Sequence, residues 1–243
     1  MSISLSIENL EVVYGKARSV NGISLSVETG QIIAIIGPVG AGKSTVFDAV
    51  FGLNESTGKI EFEGQDLRKI PPQKIVELGV AYAPERGNLF TQMNVHDNLM
   101  TGAYRARKDI KLNLELVYDL FPILKDRRNQ ETATQSGGER QMLSLGRALM
   151  SSPRLLLVDE PTIGLSPKVC LSIAAALSKL NTQHGLTILI AEQNANFALS
   201  LAEYIYLLEI GRITRHGTSA ELLKEDIIRK SYFGNSNESG DNT

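Results

Sequence analysis

The segment Gly37-Pro38-Val39-Gly40-Ala41-Gly42-Lys43-Ser44-Thr45 has the residue types and spacing to hold a row of phosphates. Glycines let backbone N–H groups curl around anionic oxygens, because no Cβ blocks the approach. Lys43 supplies a point charge for β- and γ-phosphates, and the Ser44 hydroxyl can ligate Mg²⁺. A second group of candidates closes the apolar run Leu155-Leu156-Leu157-Val158, where Asp159 and Glu160 follow in succession. One carboxylate there can serve the shell of a divalent cation, and the other can take a proton from attacking water. A third group is Gln135-Ser136-Gly137-Gly138-Glu139-Arg140-Gln141, a serine and two glycines opening a helix. That is again an anion-binding end. A plain glycine turn, and a buried strand ending in solvated acids, are the structural alternatives to the first two. The strand–loop–helix context disfavours the first, and the phosphate loop upstream disfavours the second.

These residues need a scaffold, and the apolar patterning supplies one. Residues 32–36 form a β-branched run suited to a buried parallel strand, and a helix is expected over 44–52. The strand at 155–158 is expected directly beside it, with its acids at the ligand-binding edge of an open sheet. Alternation at Ile3, Leu5 and Ile7, then 10–14 and 22–27, predicts three short strands of an antiparallel platform. Further strands are expected at 58–64, 80–83, 186–191, 204–208 and 211–214. Helices are expected at 72–78, 95–104, 112–124, 137–150, 167–180 and 194–202. Ser219 is the expected cap of a last helix over 220–232. The stretch 94–150 reads as a helical lobe, and the polar tail 234–243 as disordered. Tyr14 stands at a strand end, where it could stack on a base or pack on its own sheet; spacing leaves both open.

The 243 residues are 42% apolar and 21% charged with a net charge of −2, which gives no global basic field for nucleic acid or anionic lipid. No apolar run is long enough to span a membrane, and no signal-peptide pattern stands at the N-terminus. The single cysteine, Cys170, excludes a disulfide framework and is expected to be buried and structural. His96, His184 and His216 share no ligand spacing and are expected at the surface. The cluster Arg105, Arg107 and Lys108 reads as a solvated helix end.

The three ordered motifs resemble the ATP-binding subunits of ABC proteins over residues 3–233. The resemblance implies an α/β P-loop NTPase domain of ABC type, with an antiparallel β subdomain and a helical subdomain. It implies ATP and Mg²⁺ as cofactors, and a dimer in which each chain's Ser136, Gly137 and Gly138 reach the nucleotide of the neighbour. Residues 37–45 become the phosphate loop, Tyr14 the aromatic on adenine, Asp159 a metal carboxylate and Glu160 the general base. Ile163-Gly164-Leu165-Ser166 becomes a loop at the dimer seam.

Three positions depart from the family pattern. Glu85 stands where a glutamine near Mg²⁺ and water is usual, Gln193 where a histidine on the γ-phosphate is usual, and Gln135 where a leucine opens the signature. Glutamine can donate a hydrogen bond but cannot become a cation. The first two departures, with Met142 to Met150 and Ala191-Glu192-Gln193-Asn194-Ala195, resemble the shorter ATPase subunit of branched-chain amino acid importers. That resemblance implies membrane permease subunits, a second ATPase that is the same or a different chain, and indirectly a substrate-binding protein. It places the chain at the cytoplasmic face of the inner membrane, without nucleic acid. The alternatives are an importer for another small substrate such as urea or amides, a non-transport ABC ATPase, or a regulatory module that barely hydrolyses.

Overall fold

The computed structural model describes residues 2–15, 17–85 and 87–224. The chain opens with β1 (Ile3–Tyr14), β2 (Ala17–Glu28), β3 (Ile32–Ile36) and α1 (Lys43–Val50). It continues through β4 (Ser56–Phe62), β5 (Gln65–Asp66), α2 (Pro72–Leu78) and β6 (Val80–Ala83). Then come α3 (Val95–Gly102), α4 (Ile110–Leu120), α5 (Pro122–Asp126), a 3₁₀ turn (Thr132–Thr134) and α6 (Gly137–Leu149). The last third holds β7 (Leu155–Asp159), α7 (Pro167–His184), β8 (Thr187–Glu192), α8 (Ala195–Leu201), β9 (Tyr204–Glu209), β10 (Arg212–Thr218) and α9 (Ser219–Leu222).

Two sheets result. The first is antiparallel, in the order β2-β1-β4-β5, and the second runs β10-β9-β3-β8-β7-β6. In the second, β9, β3, β8, β7 and β6 are parallel and β10 is antiparallel to β9. Strand β3 shows why the layers assemble as they do. Ile32, Ala34 and Ile36 face the core that holds α3, α4, α6, α7 and α8, whereas Ile33 and Ile35 face α1 and the antiparallel sheet. Period-2 alternation on a strand buried on both faces thus serves two cores at once.

Several expectations change. The strand carrying Asp159 does not adjoin β3: β8 lies between them, pairing with β3 on one side and β7 on the other. Every residue of β8 is buried, so its four-residue apolar run, 188–191, fits that central slot as well as β7 would. The two short strands at the N-terminus are one, β1, irregular in register around Asn9, whose φ is +49°. The helix foreseen at 112–124 breaks at Phe121–Pro122, because proline disfavours helical backbone at the residue before it. Thr218, not Ser219, caps α9, in a reciprocal pair with Glu221. The predicted extension of that helix beyond Lys224, and the tail, lie outside the described residues. Cys170 is only partly buried, and the neighbouring Leu171 is 72% exposed, because α7 turns that flank outward. Arg105 is engaged rather than solvated: it donates to the carbonyls of Glu77, Ser151 and Ser152, tying the ends of α2 and α6 together.

Candidate nucleotide site

The loop between β3 and α1 is held by contacts that admit only glycine at two points. A Cβ on Gly37 would lie 2.2 Å from the Leu208 carbonyl oxygen, and one on Gly42 would lie 2.7 Å from that of Ser19. Gly42 also has φ +106°, a conformation that side-chain-bearing residues rarely adopt. The chain at Ser19 is thereby clasped against the loop, and the Ser19 and Thr45 hydroxyls pair at 2.9 Å.

A cleft of about 270 Å³ opens here, lined by Ser19, Val39, Gly40, Gly42, Lys43, Ser44, Thr45, Glu85, Glu160 and Ile163. Lys43 is buried, and its ammonium donates to the Gly37 and Pro38 carbonyls at 2.6 and 2.9 Å. Its third partner is Glu160 Oε1 at 2.9 Å. Glu160 reaches it although β7 is two strands away from β3. The chain turns at Glu160 with φ +45°, which swings the carboxylate off the strand, and a lysine side chain spans the remaining gap. The other oxygen, Oε2, accepts from the Gln193 backbone N–H at 3.2 Å.

Asp159 is 2% exposed and its Oδ2 accepts from the Tyr82 hydroxyl at 3.1 Å. Burial above all, helped by Glu160 and Glu85, pushes its carboxyl up to about 6 against the pull of the nearby Ser44 and Tyr82 hydroxyls. Asp159 Oδ1 is buried and takes no hydrogen bond. An orphaned carboxylate oxygen beside a serine hydroxyl is a donor set that fits a hard cation such as Mg²⁺. Among the described residues no cluster of three or more His, Cys, Asp or Glu could hold a metal by itself. The fit is therefore to an ion that completes its shell with phosphate oxygens and water.

The remaining predicted residues are placed differently. Pro38 and Ala41 belong to the loop, their backbones turned into it, and Ala41 accepts from the Gly211 N–H. Tyr14 is half exposed at the end of β1 and does not line the cleft; its hydroxyl accepts from Asn54 Nδ2 at 3.1 Å. The Gln193 side chain is exposed. Ser136 and Gly137 open α6 at the surface, with Ser136 and Glu139 in a reciprocal cap, and Gly138 is buried against Val169. They do not meet the phosphate loop of their own chain. Gly137 lines a separate cleft of about 260 Å³ with Glu85, Gly87, Arg140, Gln141 and the 163–165 turn. Among the described residues, only Glu85 and Ile163 border both clefts. Gln135 is buried, and neither of its side-chain amide atoms finds a partner.

Sequence reasoning missed Ser19, Asn54, Tyr82, Arg147 and Glu192. Each acts on residues distant in sequence, so even where a motif segment contains it, as with Arg147 and Glu192, only the fold reveals the contact. Arg147, on α6, donates to the Gly87 and Asn88 carbonyls and so fastens the loop that carries Glu85 to the helix opened by Ser136.

A glycine loop, a buried lysine and paired carboxylates at the end of a parallel sheet define a P-loop nucleotide-binding ATPase. The profile of the ABC transporter family matches residues 20–163. The high-affinity branched-chain amino acid transport ATP-binding protein BraG of Pseudomonas aeruginosa is 40% identical over 232 residues, covering 95% of this chain and 99% of BraG. The lipopolysaccharide export system ATP-binding protein LptB of Haemophilus influenzae is 32% identical over 240 residues, covering 96% and 98%. The ADP conformation of MJ1267, an ATP-binding cassette of an ABC transporter, superposes with a TM-score of 0.81 at 24% identity, covering 96% and 100%. The chain belongs to the ABC transporter family, as an ATP-hydrolysing subunit whose turnover is coupled to transport.

Proposed function

We propose that this chain powers an importer for branched-chain or other hydrophobic amino acids. The observation that carries the reading is the similarity to BraG along nearly the full length of both chains. Subunits of this family work with membrane permeases and dimerise. Here the partners are two permease subunits, a second ATPase and, through the permeases, a substrate-binding protein. Among the described residues no helix is long and apolar enough to cross a membrane, which suits a peripheral subunit held at the cytoplasmic face by the permeases. A groove lined by Tyr82, Phe90, Tyr104, Arg105 and Arg147 lies beside the 87–92 loop and offers them a seat.

The site residues divide the work. Backbone N–H groups of 37–45 and the start of α1 receive the phosphates, and Tyr14 takes the adenine face. Lys43 exchanges its present partners for phosphate oxygens, which releases the Glu160 carboxylate to accept a proton from water. The exposed Gln193 amide donates to the γ-phosphate. Ser44, Asp159 and Glu85 would hold Mg²⁺, which neutralises and orients the phosphates when bound. Ser136, Gly137 and Gly138 serve the neighbour's nucleotide, a division supported by the two separate clefts of a single chain. The descriptions of 94–150 as a helical subdomain and 3–233 as the ATPase domain belong to the same reading.

The test is an affinity pull-down of the tagged chain from detergent-solubilised native membranes. Two multi-span proteins and a second ATPase are expected, with uptake of leucine or valine lost on deletion. The 32% identity to LptB favours, as second reading, a subunit of an export system. Co-purification with lipopolysaccharide export partners, and intact amino acid uptake, would decide for it.

A further inference from the structure

Glu192 ends β8 with no exposed surface, and none of the roles assigned above falls to it. Its Oε1 accepts from the Thr162 N–H at 3.0 Å and from the Thr162 hydroxyl at 2.6 Å. Its Oε2 accepts from the Asn194 N–H at 2.9 Å. Its backbone carbonyl accepts from the Gly37 N–H at 3.2 Å. One residue thus joins the start of the phosphate loop, the turn after Glu160 and the turn that contains Gln193. Glu160 lies inside this frame. Its own N–H donates to the Ala191 carbonyl at 2.8 Å, and its Oε2 takes the N–H of Gln193.

We infer that Glu192 is a positioning residue of the hydrolytic site, holding the Glu160 carboxylate in place from both sides. It grips Thr162, two residues after Glu160, and fixes the peptide that donates to Glu160 by bonding to the residue beyond it. Buried hydrogen bonds to a carboxylate are strong and directional, so the arrangement resists rotation of either turn. The chemistry requires a carboxylate. Both oxygens accept, whereas an amide of the same volume would set an N–H₂ group against an N–H donor on one arm. Glu192 is fully buried and does not line the nucleotide cleft; it acts through Glu160, and the inference rests on Glu160 being the general base.

The test compares phosphate release by the full-length chain, purified with the membrane chains it captures, with thermal melts recorded alongside. Glu192→Gln and Thr162→Val are each expected to lower kcat at least tenfold with KM for ATP within threefold of wild type. Thr162→Ser, which keeps the hydroxyl, should retain kcat within twofold. Adding Glu192→Gln to Glu160→Gln should cost less than a further threefold, because both changes disable the same group. A role confined to folding would lower the melting temperature but leave the kcat of the folded protein and its serine rescue unmoved. If Glu192→Gln does not fold, the Thr162 pair decides alone. The inference is overturned by kcat within twofold of wild type in Glu192→Gln and Thr162→Val, or by full multiplication of losses in the double variant. Wild-type hydrolysis by Glu160→Gln would instead bring down the assignment of the base, and the inference with it.

Discussion

Lys43 and Glu160 hold one another in a buried ion pair, so any phosphate that takes Lys43 must first compete with a carboxylate. Glu160→Gln removes that competitor and the proposed proton acceptor together. We expect ATP to bind severalfold more tightly and turnover to fall by about 100-fold or more, the usual range for loss of a general base. Nucleotide titration and phosphate release check the two halves separately. Asp159 gives a second residue-scale prediction. Its carboxyl titrates near 6 in the fold and near 3.8 in the unfolded chain, so the folded state binds the extra proton between those values. Stability of the nucleotide- and metal-free protein therefore falls as pH rises from about 4 to 6, by about 3 kcal/mol in total, and stays lowered above that window. Asp159→Asn should flatten this dependence and raise the metal-free melting temperature at pH 7–8, while abolishing hydrolysis. A steeper or unchanged profile in the variant would contradict the assignment.

Helix α6 joins several of these functions, because its N-terminus carries Ser136 while its body packs against α3 and holds the 87–88 loop through Arg147. The α3–α6 approach is close: a Cβ on Gly102 would lie 2.0 Å from the Arg147 carbonyl oxygen. Gly102→Ala should destabilise by about 1–3 kcal/mol through overpacking, read from denaturant unfolding. Just ahead of α6, Gln135 buries an amide with no partner for either atom. Gln135→Leu should raise stability by about 1–3 kcal/mol, seen as a higher melting temperature, because it removes an uncompensated desolvation cost. The existence of α6 was legible in its serine, paired glycines and following apolar pattern. Its contacts were not, since Gly102, Asn88 and Val169 are distant in sequence and nothing local specifies them.

A single chain presents its phosphate loop and its Ser136 helix end at different clefts, which suits the proposal that each chain contributes half of a shared site. Ser136→Ala should leave ATP affinity of the isolated chain within about twofold, yet reduce turnover at least tenfold in the assembled transporter. Some loss of stability is expected too, about 1 kcal/mol for a lost cap. An equal loss of affinity in the isolated chain would place Ser136 at its own nucleotide. The sequence by itself determined the chemistry available: a phosphate loop, two successive acids, an anion-binding helix start and the strands and helices to carry them. Those features are local, set by residue type, spacing and periodicity over a few residues. Tertiary structure alone decided that β8 separates β3 from β7, that Lys43 is paired with Glu160, and that Asp159 keeps an unpartnered oxygen. It also decided that Glu192 braces the turns around Glu160. Strand order and burial depend on how distant segments share one core, and a run of apolar residues does not say which neighbour it will pair with.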